Sequence, residues 1–380
     1  MTGGVLFHVQ HLLGIGHLQR SLRIAEALVA RGIAVTMMHG GPPVPQVGRA
    51  PGIEIVPLPV IRARDATFAL VDATGKPVGD DLRAARRQQL LAAFATVRPD
   101  AVVTEGYPFA RRAFGFELDP LIATARAGGV PVICSVRDIP TVRDDPERHR
   151  AIVARIRADF TAVLVHGDPN FIPFDVPFPA ASEIADKLVY TGYVTNEFAL
   201  PAKGWSGTKD GEVLVSVGGG AAGRALLDAA LGARRLGCLA DRPWRVLAGT
   251  ALTDDAFAAL RRDAPPGTAV ERFREDFPAL LRRCHLSVSQ AGYNTVLDLL
   301  AAKARAVLVP FSAERETEQL IRAEQLARRG AAELLRETEL SPASLKAAIE
   351  RAARREPPAL TVDMGGALRS AAEIARLIDG

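Results

Sequence analysis

Cysteine is scarce in this sequence. Cys134, Cys238 and Cys284 are the only three among 380 residues, widely spaced and each in or beside an apolar run. Such usage excludes a disulfide framework and a cysteine zinc site, and it predicts buried, reduced thiols in a cytosol. Aromatic residues make up only 6% of the chain, and they never interleave with a basic stripe. The formal net charge is a modest +4, so the footprint of a nucleic-acid binder is missing. One local basic cluster, Arg83, Arg86 and Arg87, reads as a solvated helix face. No stretch approaches the ~20 uninterrupted apolar residues of a membrane span. No basic segment followed by an apolar core precedes the first strand-like run, so no signal peptide is expected and the expected location is the cytoplasm.

What is present is ordinary globular composition, 48% hydrophobic and 24% charged, which leaves disorder to short loops. The length exceeds what one hydrophobic core usually serves, so two domains are expected. Short apolar runs alternate with longer helical patterns, the signature of parallel sheets with crossover helices. Strands are expected near 5–9, 33–38, 53–57, 101–104, 130–135, 162–166 and 188–191, with helices over 18–30, 81–97, 111–126 and 146–160. Residues 195–211 then carry Pro201, Gly204, Gly207 and Gly211 with little apolar periodicity, as a linker does. The alternation restarts with strands near 212–217, 244–248, 286–289 and 306–309, and helices near 223–236, 254–262, 295–302, 314–328 and 342–354. The expected domains are 1–195 and 212–365, joined by a 196–211 linker, with a helix in 366–380 packing back on the first. The fold class is α/β: two doubly wound, Rossmann-like domains facing across a cleft. In such sheets ligands bind beyond the carboxyl ends of the strands, and the loops just after strands are where chemistry is sought.

Three such loops stand out. The first strand runs into His11-Leu-Leu-Gly-Ile-Gly-His-Leu-Gln-Arg20. There Gly14 and Gly16 allow a tight turn and close approach to a ligand, and a helix start favours an anion. His17 lands at that helix start, where a near-neutral imidazole can deprotonate a hydroxyl or a water. The second loop holds Gly218, Gly219 and Gly220, with Gly223 completing a G-x-G-x-x-G spacing. The next strand ends in Gly249 and Thr250 without an acidic residue for an adenosine ribose, and no Walker-A lysine is present. The glycines therefore read as a diphosphate cradle with neither a nicotinamide cofactor nor a P-loop. In the third loop, Gln290, Ala291, Gly292, Asn294 and Thr295 form a strand-to-helix turn whose amides suit phosphate. Asp298 follows one helical turn after Asn294, placed to accept hydrogen bonds from ribose hydroxyls. Glu318 and Gln319 open the helix after the Val-Pro-Phe end of the next strand.

In this order the motifs resemble the family-28-like GT-B glycosyltransferases, the group that includes the lipid II-forming N-acetylglucosaminyl transferase. The likeness is densest from Ser289 to Ala332: an S-x-x-G-x-x-T-x-x-[ED] turn, a V-P-F strand end, a polar pair and a Leu-x-x-x-Gly-Ala-Ala segment. The resemblance implies that Asp298 binds the donor ribose and that Glu318 and Gln319 contact the donor sugar. It makes 1–195 the acceptor side and 212–365 the nucleotide-sugar donor domain, with uridine diphosphate as the usual carrier. This chain has Asp where that family has Glu, and Glu-Gln where it has Gln-Gln. The stretch Thr104-Glu-Gly-Tyr-Pro-Phe-Ala-Arg-Arg112 resembles a segment of predicted glycosyltransferases of the same group, which makes Glu105 a second candidate acid or base. The implied reaction is inverting, single-displacement transfer to an acceptor that the sequence does not identify. It needs no cofactor beyond the donor co-substrate and no metal, since Asp254-Asp255 reads as a helix start.

Two alternatives stay open. The run Gly14-Ile-Gly-His-Leu-Gln-Arg20 is also similar to the loop of the nucleotide-sugar hydrolase of pseudaminic acid synthesis, in which the corresponding histidine activates water. The additional stretch from about Arg62 to Arg87, suited to shaping an acceptor site, favours transfer. A non-catalytic nucleotide-sugar sensor is the second alternative. A sugar-nucleotide 2-epimerase lacks support, because its G-T-R-P-E type loop is missing. Lipid-linked relatives use an apolar, basic-rimmed patch, and Phe109, Phe114 and Phe116 beside Arg111 and Arg112 leave peripheral contact with the inner membrane face open. Those phenylalanines read more readily as core.

Overall fold

A computed structural model describes residues 4–12, 15–44, 51–64, 69–140, 145–195, 211–217, 223–311 and 317–380. The chain forms two compact units, Met1–Val194 with Asp363–Gly380, and Thr195–Val362.

The first unit runs β1 (Gly4–Val9), α1 (Gly16–Ala30), β2 (Ala34–His39), β3 (Ile53–Pro57), β4 (Ile61–Ala63), β5 (Leu70–Asp72), α2 (Asp80–Val97) and β6 (Ala101–Glu105). It continues through α3 (Gly115–Ala127), β7 (Val132–Arg137), α4 (Pro146–Asp159), β8 (Ala162–His166) and β9 (Leu188–Tyr190). Seven strands make one parallel sheet in the order β3-β2-β1-β6-β7-β8-β9. Val5, Leu6, Phe7, Val102, Val103, Ile133, Val163 and Leu164 are fully enclosed, because helices on both faces require central parallel strands to be apolar throughout. Local signals agree with the elements. Asp145 accepts the amides of Glu147 (3.0 Å) and Arg148 (3.2 Å), with Pro146 in the first turn, and so starts α4. The segment expected as one helix from Arg111 opens as a short 3-10 turn, Arg112–Phe114, and α3 begins at Gly115. The sequence reading missed β4 and β5, an antiparallel hairpin between β3 and α2.

The second unit follows with β10 (Val213–Ser216), α5 (Arg224–Arg235), β11 (Trp244–Leu247), α6 (Asp254–Arg262), β12 (Thr268–Glu271) and α7 (Phe277–Arg283). Then come β13 (Leu286–Ser289), α8 (Tyr293–Ala302), β14 (Ala306–Leu308), α9 (Glu318–Arg328), β15 (Glu333–Leu334) and α10 (Pro342–Arg354). Its parallel sheet has the order β12-β11-β10-β13-β14-β15. Asp254 and Asp255 occupy the first turn of α6, which Thr253 caps through Ala256 N; they start a helix. The final helix α11 (Gly366–Asp379) lies in the first unit, where Ala371 and Ile374 join Leu18, Ile24 and Leu28 in one cluster. The returning chain is pinned there: Tyr193 N donates to Asp363 O (2.7 Å) and Gly366 N to Tyr193 O (3.0 Å). A Cβ on Gly366 would stand 2.3 Å from Gly192 O, so only glycine fits that crossing.

One sequence reading is corrected. Arg86 is not on a solvated face: it is wholly buried, while Arg83 and Arg87 are exposed. Its guanidinium is fully engaged by Glu117 and by backbone carbonyls, and this pairing makes burial tolerable. The phenylalanines near Arg111 and Arg112 read as core, and Phe116 is partly buried against that core. Phe109 and Phe114 are core residues, and Phe109 packs edge-on against Phe174 and Phe178. Cys134, Cys238 and Cys284 are buried free thiols. Among the described residues, no helix is long and apolar enough to cross a membrane.

Candidate functional site

In each sheet the strand order reverses beside the unit's first strand. β1 lies between β2 and β6, and β10 lies between β11 and β13. Loops leaving the carboxyl ends at such a reversal diverge and open a crevice. In the first unit these are the loops after β1 and β6, which explains why residues 88 positions apart meet. His17, in the first turn of α1, places Nδ1 2.7 Å from Oε1 of Glu105, the last residue of β6. Arg20, one turn further along α1, forms an ion pair with the same oxygen.

A carboxylate only accepts hydrogen bonds, so the short contact puts the imidazole proton on Nδ1 and leaves the Nε2 lone pair outward. Arg20 Nη2 also lies 3.2 Å from Nδ1, but the shorter and oppositely charged contact decides the tautomer. Burial pushes the His17 pKa down to about 4, outweighing the pull of Glu105, with Arg111 and Arg20 adding to the fall. The imidazole is therefore neutral at pH 7. For Glu105, burial alone would raise the pKa, but His17, Arg20 and Arg111 together hold it far below the usual carboxylate range. Glu105 cannot exchange a proton near neutrality. Of the two candidate bases, His17 retains a free lone pair, and Glu105 orients it.

Beside this pair lies a second buried polar system at the same sheet edge. Glu117 accepts from Arg86 Nε (2.7 Å) and Nη2 (2.6 Å) and contacts His8 Nε2 at 3.0 Å. Arg86 also donates to Gly40 O (3.1 Å), Pro59 O (2.7 Å) and Gln10 Oε1 (3.0 Å). Gln10 in turn donates to Ile61 O at 2.9 Å. The β4–β5 hairpin is thereby held over the loop after β1, and Ala63 N reaches Leu12 O at 3.4 Å. His39 and His11 are linked at 2.9 Å with nearly parallel rings. Burial, then His11, Arg86 and His8, push His39 down to about 4.

His166 is enclosed between Ser135 Oγ (2.7 Å) and Thr191 Oγ1 (2.9 Å), and burial lowers it to about 3. His17, His39 and His166 thus stay neutral when folded yet titrate near 6.5 when unfolded. Protons bind the unfolded chain first, so stability is complete above pH 6.5 and falls as pH drops from there toward 4. Each histidine contributes up to about 1.4 kcal/mol per pH unit in that window. Urea midpoints measured between pH 7.5 and 5 should fall accordingly, and His166→Asn should flatten the slope. An unchanged slope would refute the assignment of neutral burial.

In the second unit the glycines Gly218, Gly219 and Gly220, like Gly14 in the first, lie outside the described residues. The flanking elements are strand β10 and helix α5, as the motif requires. Gly16 has open space where a Cβ would stand. After β13, the turn 290–292 leads into α8, whose N-cap Gly292 has no side chain to cover the first-turn amides. Asn294 is exposed, while Gln290, Thr295 and Asp298 are half-buried along the turn and the first two turns of α8. Gln319 joins this turn to the next loop. Its Oε1 accepts from Ala291 N and Phe311 N, both at 3.1 Å. Among the described residues no partner occupies Nε2 of Gln319.

The sequence reading overlooked Arg322. It is 1% exposed, donates to Ala291 O (3.1 Å) and pairs with Glu318 Oε1 (3.0 Å). Its place four residues after Glu318 on one helix face was the available signal. Phe273 was also overlooked: it is 66% exposed just past β12, at the carboxyl edge that carries the other loops. Among the described residues no group of three or more His, Cys, Asp or Glu could hold a metal ion.

Comparison with known proteins gives a consistent result. Residues 214–377 match the family described as Glycosyltransferase family 28 C-terminal domain. The UDP-N-acetylglucosamine–N-acetylmuramyl-(pentapeptide) pyrophosphoryl-undecaprenol N-acetylglucosamine transferase of Geobacillus kaustophilus is 27% identical over 263 residues. That alignment covers 67% of this chain and 65% of the relative, just under two thirds of its length. The transferase of the same name from Xanthomonas axonopodis pv. citri is 27% identical over 366 residues, 94% of this chain and 76% of the relative. Among solved structures, the calicheamicin glycosyltransferase CalG4 superposes with a TM-score of 0.64 at 20% identity, covering 99% of this chain and 94% of that one. The fold is GT-B, as the two parallel sheets and these neighbours require.

Proposed function

We propose that the chain, whose residues 214–377 match the glycosyltransferase family 28 C-terminal domain, transfers a sugar from a nucleoside-diphosphate donor to a hydroxyl acceptor. The observation that carries the reading is the His17–Glu105 contact at 2.7 Å. It fixes a neutral imidazole with its Nε2 lone pair available, the state that a general base needs. His17 takes the acceptor proton as the oxygen attacks the anomeric carbon from the face opposite the leaving diphosphate, which inverts the configuration. Glu105 fixes the tautomer and stabilises the imidazolium as it forms.

The donor binds the second unit. First-turn amides of α8 and the glycine loop 218–220 receive the diphosphate, where an N-terminal helix dipole favours negative charge without a metal ion. Asp298 accepts from the ribose hydroxyls, and Phe273 offers a face on which the base, uracil in the favoured reading, can stack. Glu318, held by Arg322, and Nε2 of Gln319, whose Oε1 is held by Ala291 N and Phe311 N, meet the sugar. The names of the related transferases favour an N-acetylglucosamine donor. The β4–β5 hairpin held above the Leu12 loop favours a bound acceptor over water at His17.

Thermal shift with a panel of nucleoside diphosphates and nucleotide sugars tests the donor half. Uridine diphosphate at a hundred times its dissociation constant should stabilise the wild type by about 2.7 kcal/mol, and Asp298→Ala should lose most of that response. A panel that moves neither protein would end the donor assignment. Donor hydrolysis without an acceptor, at rates equal to those with acceptors, would favour the water-activating alternative.

A further inference from the structure

The charges around His17 do not balance. Glu105 is matched by Arg20, with which it is in contact. Arg111, in the loop after β6, brings a further guanidinium close enough to act electrostatically on His11, His17 and Glu105. Among the described residues its side chain makes no hydrogen bond or ion pair, and its Nε is buried without a partner. Its backbone adopts a left-handed conformation, φ 58°, which is uncommon for a residue other than glycine. The Arg111 side chain packs along Gly106, with Cγ 3.8 Å from where a Cβ on that glycine would stand. Burial first, then Arg137 and Arg20, press the guanidinium below its ordinary value against the pull of Glu105. An unpaired, half-buried cation beside other cations is costly. A ligand that brings one negative charge would offset that cost.

We propose that Arg111 receives a singly charged oxyanion, a carboxylate or phosphodiester carried by the acceptor, and so selects an acidic acceptor over a neutral alcohol. The proposal rests on the transfer reading for the identity of the ligand, but the binding it predicts does not. The planar fork of arginine matches two oxygens of such a group at once. Arg20 is held by Glu105 and Arg137 is not without a partner, so the one guanidinium left over, Arg111, calls for one negative charge, which a free phosphate dianion exceeds. Held there, the anion anchors the acceptor beside the Nε2 of His17.

The test uses the full chain with labelled histidines, assigning the His17 signal through His17→Gln. Sodium acetate and dimethyl phosphate are titrated at pH 7 and constant ionic strength against sodium chloride. Acetate, dimethyl phosphate or both should move the His17 and His11 signals saturably in the wild type, and whichever does so identifies the anion class. Arg111→Gln should weaken that binding tenfold or more, and Arg111→Lys, which keeps the charge without the fork, should fall between. The lysine variant also guards against a fold lost in the glutamine variant. Equal titration in Arg111→Gln, or an equal response to chloride, would overturn the proposal. Uridine diphosphate is tested separately by melting temperature, so loss of the donor response with anion binding intact indicts only the transferase reading.

Discussion

Replacing His17 by alanine should lower kcat by a factor of about 10² to 10⁴, the usual contribution of a positioned general base, while leaving the uridine diphosphate melting shift intact. The separation follows from the fold. His17 stands at the strand-order reversal of the first unit, and the donor turn stands at the reversal of the second. Glu105→Gln should also reduce kcat. It preserves an acceptor for Nδ1–H but removes the charge that stabilises the imidazolium and that pairs Arg20. The double variant His17→Ala with Glu105→Gln, if folded, should be no slower than His17→Ala alone, because Glu105 reaches the reacting atoms through the imidazole. With a free-enzyme pKa of about 4, the base is already deprotonated at pH 6. Turnover should be flat from pH 6 to 8 on this limb and fall as pH approaches 4. A His17→Ala protein that keeps a tenth of its turnover, or a wild-type profile that falls below pH 7 with a midpoint near 6.5, would sink the assignment.

Much of this arrangement was legible before any coordinates. The apolar runs at Val5–Val9 and Val213–Val217 are enclosed strands because a parallel sheet covered on both faces leaves no polar side. The loops after them were found by position alone, and His17 with them. What the sequence could not display is partnership at long range. Glu105 looked like a second base, because nothing in the order of residues tells that His17 and Arg20 converge on one of its oxygens. Arg86 read as solvated since its neighbours Arg83 and Arg87 are, yet a helix turns 100° per residue, and that one position faces Glu117. The β4–β5 hairpin escaped notice because three-residue strands carry too little periodicity to register. Arg322 and Phe273 were missed for opposite reasons: one is a charge buried by an i,i+4 pair, the other an aromatic left exposed.

Arg86 sets up the largest expected change in stability. Glu117→Ala should destabilise the first unit by about 3–5 kcal/mol, because it leaves a fully buried guanidinium without its counter-charge. Burial alone would raise the Glu117 pKa, but its hydrogen bonds to Arg86 and His8 hold it lowered; the carboxylate is charged at neutrality, and its loss is felt in full. Arg86→Met removes the donors to Gly40 O, Pro59 O and Gln10 as well as the ion pair, each orphaned polar group costing about 1–3 kcal/mol. The double variant Arg86→Met with Glu117→Leu should cost less than the two single effects added, since no isolated charge is left and the residues are in contact. Hydrogen exchange of the β1 and β2 amides reads the first unit separately from the second. Arg86 also ties Pro59 and, through Gln10, Ile61 to the loop beneath them. Arg86→Met should therefore loosen the β4–β5 hairpin and raise the acceptor KM more than the donor KM. Additive single and double effects would show that the pair does not act as one unit. An unchanged acceptor KM would show that the hairpin keeps its place without it.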